Sequence, residues 1–145
     1  MIYGTFHDWM VDNLREGSEI LEFGSGEGTK ILTSVFNVTS IEHDIEWVGI
    51  DPKSNYIHAP FVDGWYDVSK LQGLNRHFDA ILIDGPNGHL GRHGLLDNLE
   101  LFDFNTLIVM DDINRKPEMN IFKELIKNRE YSIFMGIDRF FGVIK

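Results

Sequence analysis

Short apolar runs closed by an acid or a turn residue alternate along this chain with stretches whose apolar residues recur at helical spacing. Ile20–Phe23, Val38–Glu42 and Tyr56–Ala59 read as short strands, and Phe78–Ile83 and Thr106–Met110 have the continuous apolar character of strands covered on both faces, as in a parallel sheet. Between them, Phe6, Trp9, Met10, Asn13 and Leu14 repeat on one helical face, from a Thr5/Asp8 capping box to a stop at Gly17. Ile31, Leu32, Val35 and Phe36 predict a second helix, and Leu95, Leu96, Leu99 and Leu101-Phe102 another. Ile121, Phe122, Leu125 and Ile126 predict a helix behind Pro117. Asp67 is expected to cap a short helix through Val68, Leu71 and Leu74. Residues 45–55 leave room for only a short helical turn. Tyr131–Ile137 and Phe140–Ile144 are separated by Asp138-Arg139 alone, so they must pair antiparallel, because a parallel pair needs a crossover of about a dozen residues. The expected fold is α/β: one Rossmann-like, doubly wound, mainly parallel sheet over residues 1–145, with helices on both faces and a C-terminal antiparallel β-hairpin.

The candidate chemistry starts in the first of these strands. Glu22-Phe23-Gly24-Ser25-Gly26-Glu27-Gly28-Thr29 carries three alternating glycines between strand and helix. Glycine accepts positive φ and keeps side chains out of a ligand's path, and the helix starting near Thr29 turns its free N–H groups toward the loop. The spacing is G-x-G-x-G. A dinucleotide fingerprint needs G-x-G-x-x-G, and no Gly-Lys-Ser/Thr follows to make a P-loop.

An acid two residues before G-x-G-x-G, after a buried strand, resembles the first motif of class I S-adenosylmethionine-dependent methyltransferases. The resemblance implies a glycine loop passing under the methionine part of S-adenosylmethionine, with Glu22 holding the amino group and Gly24, Ser25, Gly26, Gly28 and Thr29 in the binding set. Ser40-Ile41-Glu42-His43-Asp44 resembles the second motif. It implies ribose hydroxyls on Glu42, with His43 beside it. The family spends a longer helix after this point than residues 45–55 allow, and that departure bears on the adenine contacts. Asp63 is the candidate for the adenine amino group, while Trp65 and Tyr66 either wall the adenine or fill core.

Asp84 closes the Phe78–Ile83 run and opens a loop, Gly85–Gly94, with two histidines and an arginine among its glycines. Asp84, His89 and His93 are the catalytic candidates, Asp84 to position or deprotonate the acceptor and either imidazole as general base. Asp111 and Asp112 close the Thr106–Met110 run. If the two strands are neighbours, three carboxylates converge and need a cation or a proton among them. This arrangement resembles magnesium-dependent O-methyltransferases, and implies Asp84, Asp111 and Asp112 as Mg2+ ligands. The other reading makes Asp111 or Asp112 a cap of the next turn.

The formal charge of −10 disfavours nucleic acid and anionic membranes as partners, and leaves a small molecule or carbohydrate as the expected acceptor. A nucleic-acid amino-methyltransferase would also want an aromatic where Asp84-Gly85-Pro86-Asn87 has none. Cysteine is absent, which removes disulfides and thiolate chemistry. No signal-peptide pattern and no membrane-length apolar run is found, so a soluble, cytoplasmic methyltransferase is expected. Two alternatives stand beside it: a non-catalytic S-adenosylmethionine-binding module that needs a second copy or a partner chain, in view of the short length, and an NAD-dependent oxidoreductase, disfavoured by the glycine spacing.

Overall fold

The computed structural model describes residues 3–87, 90–136 and 138–145. In chain order these form α1 (Phe6–Asn13), β1 (Glu19–Phe23), α2 (Thr29–Thr33), β2 (Asn37–Glu42), β3 (Asn55–His58), β4 (Phe61–Val62), β5 (Trp65–Tyr66), β6 (Ala80–Ile83), β7 (Leu107–Met110), α3 (Lys116–Leu125), β8 (Tyr131–Met135) and β9 (Phe140–Ile144). One sheet has the order β3-β2-β1-β6-β7-β9-β8, and β4 and β5 make a separate ribbon. The pairs β1·β2, β1·β6, β2·β3 and β6·β7 are parallel, whereas β9 runs antiparallel to both β7 and β8. The order reverses at β1/β6, so the carboxyl ends of these two strands diverge into separate loops and open a crevice between them.

Strand alternation divides the core. Leu21, Phe23, Ile41, Ile81, Ile83, Ile108 and Met110 face one side, where Trp65, Tyr66, Phe78, Phe102 and Phe122 cover them. Ile20, Val38, Ala80, Leu82 and Val109 face the other, under Phe6, Trp9 and Met10 of α1 and Leu32 of α2. Each such side chain, taken fully out of water, contributes about 1.5–3 kcal/mol before chain entropy is counted.

Three local expectations change. α1 keeps its Thr5 cap, with the Asp8 N–H donating to Thr5 Oγ1 at 3.3 Å, but ends at Asn13 rather than running to Gly17. Leu95–Phe102 is not an α-helix: two 3-10 turns occupy it, His93–Leu95 and Leu99–Leu101. Asn98 explains this, since its side-chain amide donates to the Gly94 carbonyl at 2.8 Å, which an α-helix would reserve for the Asn98 backbone N–H, and that N–H goes to Leu95 instead. Asp67 caps as expected, accepting from the Ser69 N–H at 3.0 Å, but only the 3-10 turn Val68–Lys70 follows. Arg129 ties the β8 end of the sheet to the loop before β7 by donating to the Phe104, Thr106 and Lys145 carbonyls at 2.6, 2.6 and 3.1 Å. Among the described residues no helix is long and apolar enough to cross a membrane.

Candidate functional site

Glu22 and Ser40 lie in register on β1 and β2, so their side chains meet on the α1–α2 face. Ser40 Oγ donates to Glu22 Oε2 at 2.7 Å, and Thr29 Oγ1 donates to the same carboxylate at 3.0–3.1 Å while accepting the Gly26 N–H at 3.0 Å. Thr29 thereby links the glycine loop to the acid ahead of it. Glu22 is only 2% exposed, and burial outweighs its two hydroxyl donors to push its pKa up to about 7. One strand over, Glu42 clamps the same loop: Oε1 accepts from Ser25 N–H at 3.0 Å and Ser25 Oγ at 2.8 Å, and Oε2 accepts from Asp44 N–H at 2.8 Å. His43 Nδ1 stands 3.2 Å from Oε2.

The three glycines divide the work. Gly24 has φ +86°, and a Cβ there would stand 2.8 Å from Gly85 Cα, so this glycine lets the β1 and β6 loops touch. Gly28, at φ −68°, lies flush under the His7 ring with no room for a side chain. Gly26 alone of the three is open, since a Cβ there would meet nothing within 4 Å. It lines a cavity of about 620 Å³ together with His7, Glu22, Thr29, Asp84, Asp111 and Arg139. That size suits a small ligand, and the lining supplies bare backbone and a carboxylate.

Two further cavities adjoin it. One of about 180 Å³ runs along Ser25, Glu42, His43, Trp47 and Asn87; another of about 600 Å³ holds Asn87, Arg92, Asp112, Arg115 and Glu118. Asp84 lines all three cavities. Burial, and after it the adjoining Asp111 carboxylate, raises the Asp84 pKa well above the ordinary range, with Arg92 opposing.

The convergence expected of β6 and β7 is present. Carboxylate oxygens of Asp84, Asp111 and Asp112 lie within 4.8 Å of one another. Three guanidinium groups sit among them: Arg92 at 3.0 Å and Arg115 at 3.2 Å from Asp112, and Arg139 at 3.0 Å from Asp111. As it stands this donor set does not fit a divalent ion, because Asp112 Oδ2 and Asp111 Oδ2 are already paired with arginines and the buried Arg92 guanidinium lies between the strand ends.

The remaining candidates separate. Asp63 lines none of the three cavities: it forms the exposed tip between β4 and β5, at φ 54°, because a two-residue turn there needs left-handed backbone. Trp65 and Tyr66 are core, 3% and 1% exposed. His93 is exposed at the start of a 3-10 turn and lines none of the three cavities. His89 lies outside the described residues. His7, Trp47, Arg115 and Arg139 line the site without having been singled out from sequence, and Arg92 was seen only as part of a loop. His7 is held neutral, its pKa lowered to about 4 by burial against the glycine loop. A basic or aromatic side chain next to a strand end was the available signal, and it is a weak one.

Sheet order, glycine loop and closing antiparallel strand together define the fold of class I S-adenosylmethionine-dependent methyltransferases. Solved structures agree across nearly the whole chain. An rRNA methylase from Streptococcus thermophilus superposes with a TM-score of 0.62 at 11% identity, over 97% of this chain and 93% of that one. A methyltransferase from Pyrococcus furiosus gives 0.60 at 18% identity, over 96% and 79%. Aeropyrum pernix fibrillarin, solved with natively bound S-adenosyl-L-methionine, gives 0.64 at 12% identity, over 90% and 67%. No family model and no curated protein matches the sequence.

Proposed function

We propose that this chain is an S-adenosylmethionine-dependent methyltransferase that acts on an oxygen of a small molecule or carbohydrate. The observation that carries the reading is Asp84, among the described residues the one side chain common to three cavities, the first of which is also lined by the bare backbone of Gly26. In this reading the amino-acid end of the cofactor lies over Gly26 with its ammonium toward Glu22, an ion pair that would draw Glu22 into its charged form. Glu42 takes the ribose hydroxyls, giving up its bond from the rotatable Ser25 hydroxyl, and Trp47 flanks the sugar and base. When bound, S-adenosylmethionine supplies a methyl group on a sulfonium centre, open to in-line displacement by an acceptor oxygen. Asp84 orients that acceptor hydroxyl and takes its proton. Its raised pKa suits a base that works near neutral pH. His7, neutral and beside the same cavity, contributes a hydrogen-bonding wall.

The formal charge of −10 supports a small acceptor over a polyanionic one. A second reading, a binding module without turnover, draws on Asp84 being the one catalytic candidate among the described residues that lines these cavities. Formation of S-adenosylhomocysteine from S-adenosylmethionine, screened against hydroxylated sugars and phenols, separates the two. The expected result is product only when an acceptor is added, with Asp84→Asn lowering kcat about a hundredfold or more at unchanged cofactor affinity. Cofactor binding with no product across the screen would favour the module.

A further inference from the structure

We infer that Arg92 takes the place of a divalent ion in the Asp84–Asp111–Asp112 cluster, so that this chain positions Asp84 with a fixed guanidinium and holds no magnesium there. The inference rests on the methyltransferase reading only for what Asp84 does; whether a metal binds is a separate matter of the cluster's own charges.

Arg92 is 3% exposed, and each of its guanidinium nitrogens is used. Nε donates to the Pro86 carbonyl at 2.9 Å, Nη1 to the Asp111 carbonyl at 3.1 Å, and Nη2 to the Asp84 carbonyl at 3.2 Å and Asp112 Oδ2 at 3.0 Å. Nη2 also stands 4.0 Å from Asp84 Oδ1. The guanidinium thus bridges the two strand ends, donating to the backbone at both and to the Asp112 carboxylate. A divalent ion shared by these strands would occupy the same place. It would have to sit beside a cation that cannot lose its proton, and that three backbone carbonyls hold in position.

Two further arginines reach the same carboxylates. Arg115 meets Asp112 Oδ2 and Arg139 meets Asp111 Oδ2, both carboxylates being nearly fully buried. A hard cation such as Mg2+ takes oxygen ligands at about 2.1 Å in a near-octahedral shell. Building that shell here would displace these arginines toward solvent and crowd the buried Arg92 charge against a second cation. The cation required by three adjoining carboxylates is therefore supplied by the chain itself. Arg92 anchors the Asp84 main chain through its carbonyl and places positive charge 4.0 Å from its carboxylate.

Manganese(II), followed by its electron paramagnetic resonance signal, and magnesium, followed by thermal melting, test this without any cofactor. Wild-type protein is expected to leave millimolar Mn2+ free and to melt at the same temperature with or without Mg2+. Arg92→Ala vacates the bridging place, and should take up one Mn2+ at least about tenfold more tightly than wild type and melt higher in Mg2+. Arg92→Gln, which keeps a donor for the carbonyls, replaces alanine if that variant does not fold. A structural tie alone would not create metal affinity when removed. Wild-type binding of Mn2+ below about 100 μM that Asp112→Asn abolishes would overturn the inference. A folded Arg92 variant that binds metal no better than wild type would do the same. Failure of wild type to bind S-adenosylhomocysteine would instead count against the methyltransferase reading and leave the metal result standing.

Discussion

At Gly24 an added methyl group would press on Gly85, and at Gly26 it would meet open space, so neighbouring members of one motif should respond in opposite ways to substitution. Gly24→Ala forces a side chain into left-handed backbone and against a second main chain. It should cost about 1–3 kcal/mol in urea unfolding. Gly26→Arg should melt within a few degrees of wild type and lose cofactor binding, because its side chain fills the cavity rather than the core. Glu22 gives a pH signature. Its folded pKa of about 7 lies above the ordinary value of 4.5, so between these limits the folded state holds more protons than the unfolded one. Its contribution to stability therefore falls as pH rises through that window, by up to about 1.4 kcal/mol per pH unit, and is flat outside it. The difference in unfolding free energy between Glu22→Gln and wild type, measured from pH 4 to 8, should shift in favour of the variant as pH rises. A constant difference would contradict the buried, proton-holding Glu22. Glu22, Glu42 and Asp84 were legible in sequence because each ends or interrupts an apolar strand. His7, Arg92 and Arg139 were not, because their partners Gly28, Asp112 and Asp111 are distant in the chain and only the fold brings them together.

Among the elements, β6 and β7 were readable because burial on both faces leaves them without a polar residue, in runs that no amphipathic helix would show. The failures have local causes. The Asn98 side chain captures the carbonyl a helix would have used, and Asp63-Gly64 makes a small ribbon of β4 and β5 that no hydrophobic period announces. Helix α3 and the closing strands form a unit in which Gly142 lies directly under the Phe122 ring and Tyr131 meets that ring edge-on. Phe122→Ala should therefore destabilise the protein by about 3–5 kcal/mol in chemical denaturation. A loss below about 1 kcal/mol would mean that this face of the sheet is not packed as described.

For the molecule as a whole, two separately packed faces leave the carboxyl edge of the sheet free for loops, and Asp84 is where its cavities meet. The alternation of strand and helix was enough to infer this edge, but the balance of carboxylates by arginines depends on side chains from three separate loops. Calorimetric titration with S-adenosylhomocysteine, beside NAD and beside the Gly26→Arg variant, addresses the central claim directly. The account expects one site per chain with micromolar affinity for S-adenosylhomocysteine, no heat with NAD, and no binding by folded Gly26→Arg. Folded wild-type protein that ignores S-adenosylhomocysteine, or a Gly26→Arg variant that binds it as tightly as wild type, would contradict it.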